Sequence, residues 1–232
     1  MIQKDLSLLE EKIGYQYRNK DLLTEAVTHS SFANEQKILK SRDYERLEFL
    51  GDAVLELVSS DFLFRIHEDL PEGKLTKLRS SMVCEPALAY CARDLSLNEF
   101  IRLGKGEEQT GGRYRDSITS DVMEAVIGSL YLDGGLEAAK SFIDRFILSD
   151  LEHKILFYDA KTILQEMVQK NPDGHLNYQL LKEEGPDHEK MFEVEAQING
   201  EAVSRGTGRT KKAAEQHAAY EAILKLRKSE GE

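Results

Sequence analysis

The chain has 232 residues, of which 41% are apolar and 31% are charged. This composition is that of an ordinary folded protein and excludes global disorder, and the length suits one large domain or two modest ones. No apolar run approaches the roughly 18 to 20 residues that span a bilayer, and the acidic, amphipathic start of the chain is unlike a signal peptide. We therefore expect a cytoplasmic protein with no membrane partner.

Charge is distributed unevenly along the chain. The net charge of −11 argues by itself against a nucleic-acid partner, because Lys and Arg supply much of the affinity for phosphate. Residues 203–228, however, hold seven basic residues against two acidic ones, whereas residues 1–159 hold 20 basic and 29 acidic ones. The sequence therefore predicts an acidic part that repels phosphate and a basic part that attracts it.

The first 150 residues carry a helical pattern. Apolar residues recur at spacings of three and four, as at Val122, Val126 and Leu130, and few stretches alternate as strands do. The segments "PEG" (71–73) and "GKGEEQTGGR" (104–113) predict breaks between helices. Neither glycine segment has the spacing of a phosphate-binding nucleotide loop, so no nucleotide cofactor is expected.

The pattern changes near residue 160. A short helix from about Thr162 precedes two predicted strands, "HLNYQLL" and "MFEVEAQI", a tight turn at Asn199-Gly200 and a third strand. The segment that follows predicts a final helix with Thr210 as its N-cap and an inward stripe of mostly alanine. We therefore predict an α+β protein of two domains. These are an all-α domain at 1–150, a linker at 151–159 and an α-β-β-β-α domain at 160–229.

Acidic residues interrupt two apolar segments of the first domain. In "ERLEFLGDAVLEL" (45–57), Glu45, Glu48 and Asp52 fall within an arc of about 60° on a helix, opposite an apolar side that includes Leu57. A second pair, Asp121 and Glu124, lies three residues apart in another apolar segment, and Glu72 stands in the "PEG" turn. The spacing alone leaves two interpretations open: solvated helix faces with a capping pair, or converging carboxylates that require a cation.

Converging carboxylates would favour a hard divalent ion. Oxygen-only ligand sets suit Mg²⁺ or Mn²⁺, which commonly act at phosphoryl centres. A helical di-iron site is disfavoured, because such sites use a Glu-x-x-His motif that the sequence lacks. His29, near a predicted helix end, is interpreted as a structural histidine rather than a general base.

Two segments resemble a known family. "YERLEFLGDAVLEL" together with "RDSITSDVMEAVIGSLYLDGG" is similar to the signature pair of the ribonuclease III endonucleases, and residues 161–227 resemble the double-stranded-RNA-binding domain that follows it in bacterial members. The resemblance covers nearly the whole chain. It implies an endoribonuclease that hydrolyses double-stranded RNA to 5′-phosphate and 3′-hydroxyl ends with short 3′ overhangs, and that processes ribosomal RNA precursors and other structured transcripts.

The resemblance also implies roles for the acidic residues. Glu48, Asp121 and Glu124 match metal-binding carboxylates, and Asp52 matches the catalytic acid that completes this metal site. The catalytic set expected from the resemblance comprises Asp52, Glu124, Glu45 and Glu72, of which Glu45 and Glu72 match acidic residues that line the cleavage cleft. The implied cofactor is Mg²⁺, with Mn²⁺ as a possible substitute.

The resemblance further implies a homodimer that binds double-stranded RNA. Phe49 matches an aromatic residue of the subunit interface, although an ordinary core phenylalanine would give the same pattern. The residues that match RNA contacts are Thr162, Gln165 and Glu166 on the first helix of the second domain, His188 in the loop at 186–188, and Lys211 and Lys212 at the start of the last helix. The alternative from a different functional class is an RNA-binding protein that regulates by occupancy without cutting.

Overall fold

The computed structural model describes residues 4–37, 39, 42–149, 156, 160–185, 190–208 and 210–230. The chain divides into two compact units, Met1–Leu151 and Glu152–Glu232. The first is helical, and the second combines helices with a sheet, so the predicted α+β class is confirmed. The predicted linker at 151–159 lies outside the described residues except for Leu156.

The described part of the first unit is built from α-helices joined by short turns. The helices are α1 (Leu6–Ile13), α2 (Lys20–Ala26), α3 (Ser30–Glu35), α4 (Glu45–Ile66), α5 (Glu72–Val83), α6 (Glu85–Asp94), α7 (Lys105–Gln109) and α8 (Asp116–Ile143). Two 3₁₀ turns (Leu97–Phe100 and Gly112–Tyr114) and a π-helical turn (Asp144–Leu148) complete it. Among the described residues, no helix is both long and apolar enough to cross a bilayer.

Local sequence explains where several of these helices begin and end. The side chain of Asp5 accepts the N–H of Ser7 at the start of α1, and α1 ends at Gly14 with a φ of 77°. Asn19 caps α2 in the same way. Within α8, Gly135 adopts a φ of 76°, so the helix is kinked there. These are the polar N-caps and glycine ends expected from helix-capping chemistry.

The core of the first unit is built around the packing of α4 against α8. Val54 and Val58 of α4 are buried, as are Met123 and Ile127 of α8, and the spacing of four residues places each pair on one helix face. The apolar side predicted for α4 is wrong in one respect, because 58% of the Leu57 surface is exposed. An apolar periodicity does not distinguish a face that packs in the core from one that remains uncovered.

The second unit contains α9 (Ala160–Gln169), β1 (Leu176–Glu184), β2 (Met191–Ile198), β3 (Glu201–Gly208) and α10 (Lys211–Glu230). The strands form an antiparallel sheet in the order β1-β2-β3. Asn199 and Gly200 both have positive φ, 55° and 83°, as a tight two-residue hairpin between β2 and β3 requires. The predicted α-β-β-β-α order of elements along the chain and the predicted turn are confirmed.

Small residues bring α10 onto the sheet. A Cβ on Gly206 of β3 would lie 2.1 Å from the backbone nitrogen of Ala218, so the helix and strand are in backbone contact. The alanine stripe of α10 supplies the matching small side chains, including Ala214 and Ala218, which are fully buried. Thr210 is the N-cap of α10, as predicted, because its Oγ1 accepts the N–H of Ala213 at 3.1 Å.

Candidate active site and RNA-binding surface

Two glycines allow α4 and α8 to cross in backbone contact. A Cβ built on Gly51 would lie 1.8 Å from the carbonyl oxygen of Glu124, and one built on Gly128 would lie 2.1 Å from that of Leu47. A side chain at either position would therefore force the helices apart. Because Glu48 lies close to Gly51 on α4 and Glu124 is part of the contact on α8, the crossing brings the two acidic segments together.

The electrostatics of Glu48 and Glu124 reflect this proximity. Burial, followed by the charges of Asp52, Glu48 and Asp121, raises the pKa of Glu124 to about 8. Burial and the charges of Asp121, Glu45 and Asp52 likewise raise the pKa of Glu48 to about 7. Carboxylates on two helices thus disfavour each other's ionisation, which separate solvated faces would not do.

Asp121 and Asp52 differ in their surroundings. Asp121 is half-buried, and burial raises its pKa although a hydrogen bond from Tyr44 acts in the opposite direction. Asp52 lies on the exposed side of α4, where partial burial and the charge of Glu56 raise its pKa while the nearby cation of Arg79 lowers it. The acidic cluster formed by Glu48, Asp52, Asp121 and Glu124 therefore has a buried part and an open part.

Arg79 of α5 was not identified from the sequence. Its Nη1 donates to Ser60 Oγ at 2.8 Å, and its Nη2 lies 3.9 Å from Glu56 Oε1. A basic residue seven positions after Glu72 on the same helix was the available signal, but spacing alone does not reveal that it approaches Asp52. Arg79 places one positive charge at the open edge of the acidic cluster.

Glu45 and Glu72 occupy different places. Glu45 is exposed at the start of α4, and its charge contributes to the raised pKa of both Glu48 and Asp121. Glu72 is the first residue of α5 rather than part of a turn, and its carboxylate accepts a hydrogen bond from Thr76 at 2.8 Å. Glu72 lines an open cleft between α4 and α5 together with Arg79.

The residues of the cluster fit a hard divalent cation in their chemistry. Glu48, Asp52, Asp121 and Glu124 offer only carboxylate oxygens, the donors that Mg²⁺ and Mn²⁺ prefer. The pKa values of Glu48 and Glu124 are raised by burial first and by the neighbouring carboxylates second, so a cation bound there would stabilise their ionised forms. Among the described residues, no three acidic, histidine or cysteine side chains form a preassembled metal-ligand group. The carboxylates are thus neighbours, not a closed cage.

Tyr44 and His29 lie beneath the cluster. The Tyr44 hydroxyl donates to Asp121 Oδ2 at 3.3 Å, and its ring meets the His29 ring edge-on with centroids 5.6 Å apart. His29 is the N-cap of α3, where its Nδ1 accepts the N–H of Ser31 at 3.0 Å. The structural role predicted for His29 is consistent with this cap. Tyr44 was missed, although it directly precedes Glu45 in the first acidic segment.

Phe49 lies on an apolar surface of α4. Its side chain is 81% exposed, which excludes an ordinary core phenylalanine within this chain. Leu57, Phe64 and Ile66 of the same helix are also exposed, at 58%, 73% and 50%. A single chain leaves these large apolar side chains in water, which is characteristic of surfaces that bind another protein.

The second unit presents the predicted RNA-contacting residues in two groups. Thr162 and Glu166 are exposed on α9 and Gln165 is half-buried beside them. Lys211 and Lys212 are exposed at the N-terminus of α10, where the Lys211 ammonium lies 5.9 Å from the centre of the Phe192 ring. The loop residues 186–188, including the predicted contact His188, lie outside the described residues.

Comparison with protein families assigns both units. Residues 19–151 match the model of ribonuclease-III-like domains, and residues 160–226 match that of the double-stranded RNA binding motif. The nuclease domain of ribonuclease III from Campylobacter jejuni is a structural neighbour, with 43% identity and a TM-score of 0.58 over 62% of this chain and 96% of that one.

Curated relatives match along almost their whole length. Ribonuclease 3 from Caldanaerobacter subterraneus subsp. tengcongensis is 50% identical over 95% of this chain and 98% of its own sequence. Ribonuclease 3 from Listeria monocytogenes is 46% identical over 94% of this chain and 96% of its own. The chain therefore belongs to the ribonuclease III family, whose members are endonucleases that act on double-stranded RNA.

Proposed function

We propose that the chain hydrolyses phosphodiester bonds of double-stranded RNA at the acidic cluster on α4 and α8, with Mg²⁺ as its cofactor. The observation that carries this proposal is the crossing of α4 and α8 at Gly51, which brings Glu48 and Glu124 together in a partly buried place. Burial first, and the charges of neighbouring carboxylates second, raise the pKa of Glu48 to about 7 and that of Glu124 to about 8. A cation stabilises a cluster whose carboxylates disfavour each other's ionised form. Mg²⁺ and Mn²⁺ both prefer carboxylate oxygens as ligands.

The proposed role of each acidic residue follows from its position. Glu48, Asp52, Asp121 and Glu124 would hold the ion. A divalent ion bound there supplies Lewis acidity for in-line hydrolysis of a phosphodiester, with 5′-phosphate and 3′-hydroxyl products. Asp52, on the exposed side, is placed to face substrate, and Glu45 adds charge at the same edge. Glu72, in the α4–α5 cleft, would line the path of the RNA rather than hold the ion.

The second unit would hold the duplex. Double-stranded RNA is recognised by shape, 2′-hydroxyls and phosphates, because its base edges are poorly accessible. Exposed Lys211 and Lys212 stand at a helix N-terminus, where the helix dipole adds to their positive charge. Thr162, Gln165 and Glu166 offer side chains that can contact 2′-hydroxyls, and His188 is proposed as a further RNA contact.

We further propose that the protein works as a homodimer through α4. The exposed apolar side chains of Phe49, Leu57 and Phe64 support this, because they fall within an arc of about 80° on the helix and a second copy would bury them. Two active sites in a dimer would allow each to cut one strand of the duplex and so leave short 3′ overhangs. The expected setting is the cytoplasm, where structured transcripts such as ribosomal RNA precursors are the proposed substrates.

The decisive experiment separates cutting from binding. The purified protein is incubated with a long RNA duplex in Mg²⁺, with and without a chelator, and compared with Glu124→Gln. We expect Mg²⁺-dependent cleavage by the wild type, loss of cleavage in the variant, and nearly equal duplex affinity for both. An RNA duplex left intact by the wild type in Mg²⁺ would refute the proposal. If the variant lost binding as well, Glu124 would be structural instead.

A further inference from the structure

Tyr44 joins the two helices that carry the acidic cluster. It is buried at the start of α4, and its hydroxyl donates to Asp121 Oδ2 of α8 at 3.3 Å across 77 positions of sequence. Among the described residues, no other group donates a hydrogen bond to the Asp121 carboxylate. One oxygen of Asp121 is thereby occupied, and Oδ1 remains for another ligand.

Neighbouring groups fix the position of Tyr44. Its backbone N–H donates to the carbonyl of Thr28 at 2.9 Å, and its ring packs edge-on against His29. His29 is itself held as the N-cap of α3 through its hydrogen bond from Ser31. A ring held on its backbone side and on one edge has little freedom, so the hydroxyl points to Asp121 in a defined direction.

The same residue also sets the start of α4. The carbonyl of Tyr44 accepts the N–H of Leu47 at 2.9 Å and that of Glu48 at 2.8 Å. Tyr44 therefore fixes the backbone that carries Glu48 on one side and the carboxylate of Asp121 on the other.

We propose that Tyr44 is a positioning residue, whose hydroxyl holds the Asp121 carboxylate in the orientation that binds a divalent cation together with Glu48. The inference rests on the proposed metal-dependent function and adds to it a determinant of metal affinity. Residues that hydrogen-bond to metal ligands commonly affect metal affinity, because they reduce the free-energy cost of ordering the ligand before the ion binds. Tyr44 itself does not touch the reacting atoms in this arrangement.

The test removes one oxygen atom. Tyr44→Phe keeps the ring that packs against His29 and loses the hydrogen bond to Asp121. Mn²⁺ binding is measured without RNA, by titration calorimetry or by the loss of the free Mn²⁺ paramagnetic signal. We expect the variant to bind Mn²⁺ about 10-fold more weakly or worse, because losing a group that orients a metal ligand typically costs roughly 10- to 100-fold in metal affinity. The Mg²⁺ concentration that gives half-maximal cleavage should rise by a similar factor.

A matched control lies at the other end of α8. Tyr15 donates its hydroxyl to Asp133 at 2.9 Å, so Tyr15→Phe removes the same kind of bond from the same helix away from the cluster. This control should bind Mn²⁺ as the wild type does. A purely structural Tyr44 hydroxyl would lower the thermal stability of Tyr44→Phe and leave its Mn²⁺ affinity unchanged, and that result would overturn the inference.

The outcomes also separate this inference from the proposed function. If the wild type binds no Mn²⁺ and cuts duplex RNA equally well with a chelator present, the metal-dependent function fails. If the wild type binds Mn²⁺ and Tyr44→Phe binds it with the same affinity, the function stands and the positioning role alone is wrong.

Discussion

Gly51 and the carbonyl of Glu124 lie so close that a Cβ on the glycine would sit 1.8 Å from the Glu124 oxygen. This distance is far below any normal contact, so the crossing of α4 and α8 depends on the absence of a side chain at Gly51. The same crossing brings Glu48 and Glu124 together. Stability of the first unit and geometry of the acidic cluster therefore share one structural cause.

We predict that Gly51→Ala destabilises the protein by at least about 2–3 kcal/mol, because the added methyl group overpacks a backbone contact that cannot yield without moving a helix. The free energy of unfolding is measured by urea denaturation. The folded fraction of Gly51→Ala should also bind Mn²⁺ more weakly, because moving α4 and α8 apart moves their carboxylates apart.

The control for this change is Gly73→Ala. Gly73 lies in the first turn of α5, and a Cβ there would meet no atom within 4 Å. Alanine is the better helix former by up to about 1 kcal/mol, so this variant should be as stable as the wild type or slightly more so. Equal stability of Gly51→Ala and the wild type would contradict the proposed contact.

The metal-free protein should lose stability as the pH rises from about 5 to about 8. Folding raises the pKa of Glu48 from 4.5 to about 7 and that of Glu124 from 4.5 to about 8. Between these limits the folded state holds protons that the unfolded chain has released, so the free energy of unfolding decreases with pH and levels off above the folded pKa values. Urea denaturation in chelator across this pH range measures the slope.

Glu124→Gln should flatten that slope. A neutral amide carries no charge to desolvate, so at pH 8 the metal-free variant should be more stable than the wild type by about 1–3 kcal/mol, with near equality at pH 4.5. Added Mg²⁺ should shrink the difference by stabilising the wild type. Glu137→Gln, an exposed change on the same helix, serves as the control. A wild-type stability that increased with pH in chelator would count against the acidic cluster.

The sequence was informative where local periodicity decides structure. The segment "MFEVEAQI" coincides with β2 (Met191–Ile198), and Asn199-Gly200 forms the turn that its residue types require. Glu195 shows the limit of such patterns, because it alternates as an outward residue and is nevertheless buried. Gln197 and Arg205 cover it, with Arg205 Nε 3.1 Å from its carboxylate.

Long-range contacts were harder to obtain from the sequence. The charge and spacing of Glu48 and Glu124 indicated a possible convergence, but only the packing of α4 on α8 through Gly51 places them together. The bond between Tyr44 and Asp121 spans 77 positions and leaves no trace in either local pattern. Leu57 fits the apolar side of α4 and yet is exposed, because periodicity does not reveal what covers a face.

Phe49→Asp should convert a dimer into a monomer. Phe49 is 81% exposed in one chain, and a charged side chain within the proposed apolar contact would be desolvated without a partner. Sedimentation equilibrium at micromolar concentration gives the mass. Leu8→Asp on α1, where Leu8 is 49% exposed, is the control and should stay dimeric. A monomeric wild type would refute the proposed interface, as would a fully dimeric Phe49→Asp.

Replacing both Lys211 and Lys212 by alanine should weaken duplex binding in a salt-dependent manner. Each ammonium that neutralises a phosphate releases a counterion, so losing two such contacts should lower the slope of log affinity against log salt by about 2 and weaken binding roughly tenfold or more at physiological salt. Fluorescence anisotropy with a labelled RNA duplex of about 16 base pairs, the span of one such domain, measures both quantities across a salt series.

The matched control is Lys182→Ala, because Lys182 is an exposed lysine of the same unit that faces Glu193 of β2 at 3.9 Å. An unchanged slope in the double variant would show that these lysines do not contact phosphate, and an equal loss in Lys182→Ala would show that overall charge, rather than the N-terminus of α10, determines binding.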